Sequence, residues 1–235
     1  MVNKQAIDWA AQFHERALKA TDERLQRFYQ RGVVAADTPL AEVPLVALDF
    51  ETTGLDPAHD EIISIGLVPF DWQRIRLSES RYWLLKPNRG LTETSVPFHG
   101  ITHSQLDDAP DLMHILEAVL EAIAGKIVVV HYRNIEREFL HSAVKKRLGE
   151  GIRFPMIDTM ALEAMLYRYG LLSLLKRLIG WRRESIRLGD SRQRYHLPHY
   201  GQHHALTDAI ATAELLQAQI RHRYSATTPL SELWV

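Results

Sequence analysis

The sequence predicts an α/β layered domain built on a mixed five-stranded sheet flanked by helices, with a helical extension at its N-terminus. Three observations carry this: short apolar runs of strand type before residue 90, helical periodicities alternating with further strand runs after residue 110, and a separate helical periodicity in the first forty residues.

In chain order, Ile7, Trp9, Ala10, Phe13, Ala17 and Leu18 recur at helical spacing, and Leu25, Phe28 and Tyr29 continue the pattern. Thr21-Asp22 can break it and cap a second helix, which Gly32 ends. Pro44–Phe50 is an apolar run containing one acid, Glu61–Phe70 a second strand and Arg81–Leu85 a third, with Asp71–Ser80 as a hairpin connection. Gly54–Asp60 reads as a turn and Ser95–His103 as irregular. Asp111–Ala124 is an amphipathic helix, Lys126–Val130 a buried-type strand, Ile135–Leu148 a helix and Met156–Thr159 a short strand. Helices over 160–168 and 172–179 follow. Trp181–Gln202, polar and rich in Arg and His, reads as a loop, and His204–Arg223 as a long helix. This divides the chain into a helical extension (1–40), a main domain (41–225) and a tail (226–235).

Composition narrows the function. The 235 residues are 46% apolar and 24% charged, ordinary for a globular chain. Lys plus Arg is 28 and Asp plus Glu is 29, a net charge of −1, which argues against a simple cationic coat for nucleic acid or membrane. There is no cysteine, hence no disulfide and no thiolate zinc site. No apolar run reaches the roughly 18 residues of a membrane span, and the N-terminus lacks an apolar signal core. The expectation is a soluble, cytoplasmic protein without a membrane partner. Charge is unevenly placed: residues 36–66 hold seven acids and no Lys or Arg, whereas 131–200 hold 14 basic residues against 7 acidic. An acidic pocket beside a basic surface suits a cation-dependent enzyme acting on a polyanion.

Asp49 and Glu51 sit two apart on the first predicted strand and share a face. Two unpaired carboxylates there repel each other, and a hard cation such as Mg²⁺ relieves the repulsion. Asp208 opens the last helix, where a carboxylate is favoured. His203 and His204 precede it by five and four residues. Helical spacing alone favours His204 as its partner, while a loop ending before Asp208 would let His203 swing in. Either suits general-base work. A zinc site drawing on His196 and His199 matches no known spacing.

Taken together, these residues resemble a family. Val46-Ala-Leu-Asp-Phe-Glu-Thr-Thr-Gly-Leu55 with Asp60-Glu-Ile-Ile-Ser-Ile-Gly66 resembles the first motif of the DEDDh 3′–5′ exonucleases, whose members include the proofreading epsilon subunit of bacterial DNA polymerase III and its stand-alone homologues. Phe98-His-Gly-Ile-Thr102 resembles the segment after the third strand. Val130–Leu140 lies on the second motif, Ile157-Asp-Thr159 on a recurrent segment behind it, and His203-His-Ala-Leu-Thr-Asp208 on the third motif. The resemblance covers roughly residues 44–222 and implies a ribonuclease H-like fold. It implies that Asp49, Glu51, Glu136 and Asp208 are metal ligands, and that His203 rather than His204 is the general base. Thr52, Thr53, Gly54 and Leu55 would cup the terminal nucleotide, with His99 and Ile101 on its other side.

The second motif departs from the usual His-Asn-x-x-Phe-Asp. Here it reads His131, Tyr132, Ile135 and Glu136, so that Glu136 replaces an Asp and Tyr132 an amide that positions substrate; Glu138 is the fallback ligand. The implied cofactors are two divalent cations, Mg²⁺ or Mn²⁺, on either side of the scissile phosphate. One lowers the pKa of a water that His203 deprotonates, and the other stabilises the leaving 3′ oxygen. The implied activity is release of nucleoside 5′-monophosphates from the 3′ end of DNA, single-stranded or frayed, with a DNA polymerase or repair protein as partner. Arg133, Arg192 and Arg194 are candidates to track the phosphates. The alternatives are the same chemistry on RNA or short oligoribonucleotides, and a non-catalytic adaptor that binds a polymerase or nucleic acid, which Glu136 and Tyr132 keep open.

Overall fold

The computed structural model describes residues 7–88, 100–168, 184–201 and 203–234. Helix α1 (Trp9–Lys19) begins at Asp8, whose carboxylate accepts the Ala11 N–H at 2.9 Å, and α2 (Glu23–Gln30) begins at Asp22, which caps Arg24 in the same way. The pair lies against the main domain through rings: Phe28 meets Phe13, Tyr29 and Phe154 at centroid distances of 5.6, 5.2 and 5.9 Å. Polar contacts tie the same joint. Glu150 accepts the N–H groups of Thr21 and Asp22, and the Tyr29 hydroxyl accepts the Arg153 N–H at 3.0 Å.

Strands β1 (Leu45–Thr52), β2 (Ile62–Phe70), β3 (Arg81–Leu84), β4 (Ile127–Val130) and β5 (Met156–Asp158) form one mixed sheet in the order β3-β2-β1-β4-β5. The pairs β1/β2 and β2/β3 are antiparallel, while β1/β4 and β4/β5 are parallel, as the intervening helices require. Those helices are α3 (His103–Asp107) and α4 (Leu112–Ile123) before β4, and α5 (Asn134–Leu148) before β5; α6 (Thr159–Arg168), α7 (Leu188–Arg194) and α8 (Ala205–Arg223) follow the last strand.

The period-2 alternation of β1 sorts the core. Val46, Leu48 and Phe50 join a cluster with α1, α2, α4 and α5, while Leu45 and Ala47 join another with Ala209, Ala213, Leu216 and Ile220 of α8. Asp49 and Glu51 continue the second face, so β1 aims its acids at α8. Residues beyond α8 fold back on the domain: Leu230 and Leu233 are buried, Pro229 bridges Pro39, and Trp234 bridges Ile157 of β5.

One sequence expectation changes. Within Trp181–Gln202, expected as loop, Leu188–Arg194 is helical, and its buried residues are Ser191 and Arg192. A helix that buries polar side chains has no apolar stripe to read. Of the segment expected as irregular, residues 95–99 lie outside the described residues and 100–102 have no regular structure; α3 begins at His103, where the Gln105 side chain accepts the Thr102 N–H at 2.8 Å. The helix expected at 172–179 lies outside the described residues.

Candidate active site

Gly66 lets the site assemble. It pairs with Asp49 across β1 and β2. A Cβ added to it would stand 2.2 Å from backbone atoms of Ala205 and Leu206, the first residues of α8. Only a residue without a side chain lets α8 cross the sheet this closely, and the crossing brings Asp208 to β1. One carboxylate oxygen from each of Asp49, Glu51 and Asp208 then lies within 4.8 Å of the others.

Among the described residues no ion pair reaches any of the three. Burial, and then the charges of Glu136, Asp208 and Glu51, hold Asp49 well above the usual carboxylate range. Burial and the charge of Asp208 push Glu51 up to about 7. Burial also raises Asp208, against the opposing hydrogen bond from the His203 N–H. Glu136, in the first turn of α5, is 2% exposed, and its Oε2 has no hydrogen-bond partner among the described residues. It stands outside the three-residue cluster, although its charge acts on Asp49. Four hard oxygen donors, three of them converging, with no Lys or Arg paired to the three among the described residues and one buried oxygen unsatisfied, fit divalent ions of the Mg²⁺ or Mn²⁺ class.

The two histidines part company. His204 caps α8; its carbonyl accepts the Asp208 N–H, and its ring stacks on Tyr82 of β3 at 4.7 Å and 18°. His203 has a left-handed backbone, φ +70°, and its N–H donates to Asp208 Oδ2 at 2.9 Å. The helical spacing that favours His204 is therefore used by its backbone, and its side chain is engaged elsewhere.

The turn after β1 is tightly tied. Thr52 Oγ1 donates to the Gly54 carbonyl at 2.6 Å, and Thr53 Oγ1 donates to Asp60 at 3.1 Å. A Cβ on Gly54 would lie 2.4 Å from Asp60 Oδ2. The turn leaves Leu55 83% exposed. Ile101 does not share that exposure: it is 6% exposed and packed with Ile63 and Leu106, so it supports the fold rather than lining a surface. His99 lies outside the described residues. Tyr132 is 44% exposed, with φ +86°.

Other candidates are engaged elsewhere. Glu138 makes a two-pronged pair with Arg153 at 2.7 and 2.9 Å, which removes it as a fallback ligand. His196 and His199 belong to no potential metal cluster among the described residues. The arginines expected to track phosphates are also occupied. Arg133 pairs with Asp158, and Arg194 with the buried Glu163. Arg192, 4% exposed, donates to the carbonyls of Ala211 and Pro198 and to Glu214, beneath the Tyr200 ring at 4.6 Å. A guanidinium buried among acceptors is a structural bolt, here fastening the segment that leads to His203 onto α8. Sequence reasoning gave no role to Gly66, Tyr82 or Asp158, and gave Arg192 a phosphate-tracking role in place of its structural one. For Gly66 the signal was present: a lone glycine inside an apolar strand marks a close backbone approach.

The RNase_T family model, described as Exonuclease, matches residues 46–216. The DNA polymerase III PolC-type protein of Thermotoga maritima is 34% identical over 182 residues, which are 76% of this chain and 12% of that protein. The chain therefore matches only a small part of that relative. The DNA polymerase III subunit epsilon of Treponema pallidum is 28% identical over 180 residues, covering 77% of this chain and 78% of that one. Among solved structures, the nuclease domain of 3′hExo, a DEDDh family member bound to rAMP, superposes with a TM-score of 0.62 at 17% identity. The match covers 80% of this chain and 96% of that domain and shows a shared fold.

Proposed function

We infer that this chain, which belongs to the RNase_T exonuclease family, is a metal-dependent 3′–5′ exonuclease that releases nucleoside 5′-monophosphates from the 3′ end of DNA. The observation that carries the reading is the convergence of Asp49, Glu51 and Asp208 within 4.8 Å with no Lys or Arg paired to them among the described residues. These three acids, with Glu136 as the fourth, would hold two divalent cations, Mg²⁺ or Mn²⁺. The bound ions supply neutralisation of the acids and of the scissile phosphate, and they make the attacking water more acidic. His203 takes that water's proton on its imidazole nitrogen. The oxygen attacks the terminal phosphodiester in line and displaces the 3′ oxygen of the penultimate nucleotide.

The turn from Thr52 to Leu55 receives the terminal nucleotide, with Leu55 against a base face and Tyr132 on the rim. The nuclease unit comprises residues 41–225, with 1–40 as an extension and 226–235 as a tail. The names of its relatives support a DNA polymerase as a working partner. No helix among the described residues is long and apolar enough to cross a membrane.

The test is incubation with 5′-labelled single-stranded DNA and its RNA counterpart in Mg²⁺, Mn²⁺ or EDTA, beside Asp49→Ala. A metal-dependent ladder shortening from the 3′ end, stronger on DNA and absent in the variant, is expected. Preference for RNA would move the substrate to oligoribonucleotides. Binding without shortening of either strand would favour an adaptor.

A further inference from the structure

Tyr132 holds a backbone conformation that its residue type disfavours, φ +86°, and 44% of it is exposed. Asp158 enforces it. This carboxylate is 4% exposed and accepts the N–H groups of Tyr132 at 3.0 Å and Arg133 at 3.2 Å from the turn after β4. It also accepts those of Met160 at 3.0 Å and Ala161 at 3.3 Å from the start of α6, and the Arg133 guanidinium at 3.2 Å. One buried acid thus clamps two chain segments and leaves an aromatic ring standing outside them.

The turn lies beside the acid cluster. β4 runs parallel to β1 as far as the pair Ala47 and Val129; Asp49 follows two residues on in β1, and the turn that carries Tyr132 starts directly after β4 ends at Val130. Glu136, four residues beyond Tyr132, acts on Asp49. A strained, exposed ring next to a phosphodiesterase centre matches how proteins grip single strands, by stacking bases on aromatic faces without regard to sequence.

Resting on the exonuclease reading, we propose that Asp158 is a positioning residue that locks the turn after β4, and that the lock makes Tyr132 a rigid stacking platform for an unpaired nucleobase near the 3′ end of the substrate. Bases inside a duplex present no free face, so the platform selects single-stranded or frayed ends over blunt ones.

The experiment compares wild type with Tyr132→Phe, Tyr132→Gly, Asp158→Asn and the Tyr132→Gly/Asp158→Asn double variant. Gly accepts a left-handed backbone and brings no side chain to the substrate, so Tyr132→Gly should keep the fold, as its melting temperature will show. Binding of a fluorescein-labelled (dT)12 is measured by anisotropy with Ca²⁺ as the only divalent ion, and again with an oligonucleotide whose last three nucleotides lack bases. Wild type and Tyr132→Phe should bind (dT)12 roughly 10- to 100-fold more tightly than Tyr132→Gly. The abasic tail should make all three equal. Asp158→Asn should weaken (dT)12 binding in the wild-type background and change nothing further in the Tyr132→Gly background. Undiminished binding by Tyr132→Gly, or a loss that persists on the abasic tail, overturns the platform while a wild type that still degrades DNA keeps the exonuclease reading. A wild type that shortens neither DNA nor RNA overturns both.

Discussion

Gly66 faces Asp49 across the β1/β2 pairing, and the space where its side chain would be is filled by the backbone of Ala205 and Leu206. Gly66→Ala should therefore push α8 off the sheet. Overpacking against rigid backbone costs about 1–3 kcal/mol, sometimes more, and the same displacement carries Asp208 away from Asp49. Denaturant titration and hydrolysis should fall together. A stable Gly66→Ala protein with full activity would show that α8 has another route to the site.

Asp49→Ala should abolish hydrolysis yet raise the melting temperature of the metal-free protein, because it removes a desolvated carboxylate that its acidic neighbours oppose. Mn²⁺ should stabilise the wild type, by about 2.7 kcal/mol at a hundredfold excess over the dissociation constant, and stabilise the variant far less. Thermal melts with and without Mn²⁺ decide this, and an equal shift in both proteins would remove Asp49 from the metal site.

His203→Ala should slow hydrolysis by roughly 10²–10⁴-fold. His204→Ala should do less, since its ring is stacked on Tyr82. Single-turnover rates at saturating DNA measure both, and a larger loss at His204 would reverse the assignment.

Stability without metal should respond to pH through two groups of opposite sign. Glu51, raised to about 7 from an ordinary 4.5, disfavours the folded state as it ionises, so its contribution is intact below 4.5 and lost as pH rises through 7. His131, partly buried with its ring nitrogens bonded to Thr159 Oγ1 and the Ile186 carbonyl, is lowered by desolvation to about 4. Its contribution is intact above 6.5 and lost as pH falls to 4. Relative to wild type, Glu51→Gln should gain melting temperature as pH climbs from 4.5 to 7. His131→Asn should instead recover relative to wild type as pH drops through the same range. Parallel curves for either variant would contradict the corresponding shift.

The sheet was legible because its strands obey simple rules. An apolar run ending in acids placed Asp49 and Glu51 on one face, and the structure adds only which helix that face meets. Helix α7 was illegible because Arg192 and Ser191 are what it buries, and a buried ion pair leaves no hydrophobic period. The choice between His203 and His204 could not come from spacing, because it depends on a ring from β3 more than a hundred residues earlier in the chain. Glu138 reads from sequence as a spare ligand because its partner Arg153, fifteen residues later, meets it only where the segment after α5 folds back on that helix.

The bridge between Trp234 and Ile157 has a consequence for solubility. A five-stranded sheet has two outer strands whose free N–H and C=O groups can recruit a strand from another molecule. Here both are short, β3 with four residues and β5 with three, and Trp234 bridges β5 at Ile157. Residues following the last helix therefore act as a guard on the sheet margin. Removing them would leave an open strand edge beside the newly bared pockets of Leu230 and Leu233, a surface prone to self-association.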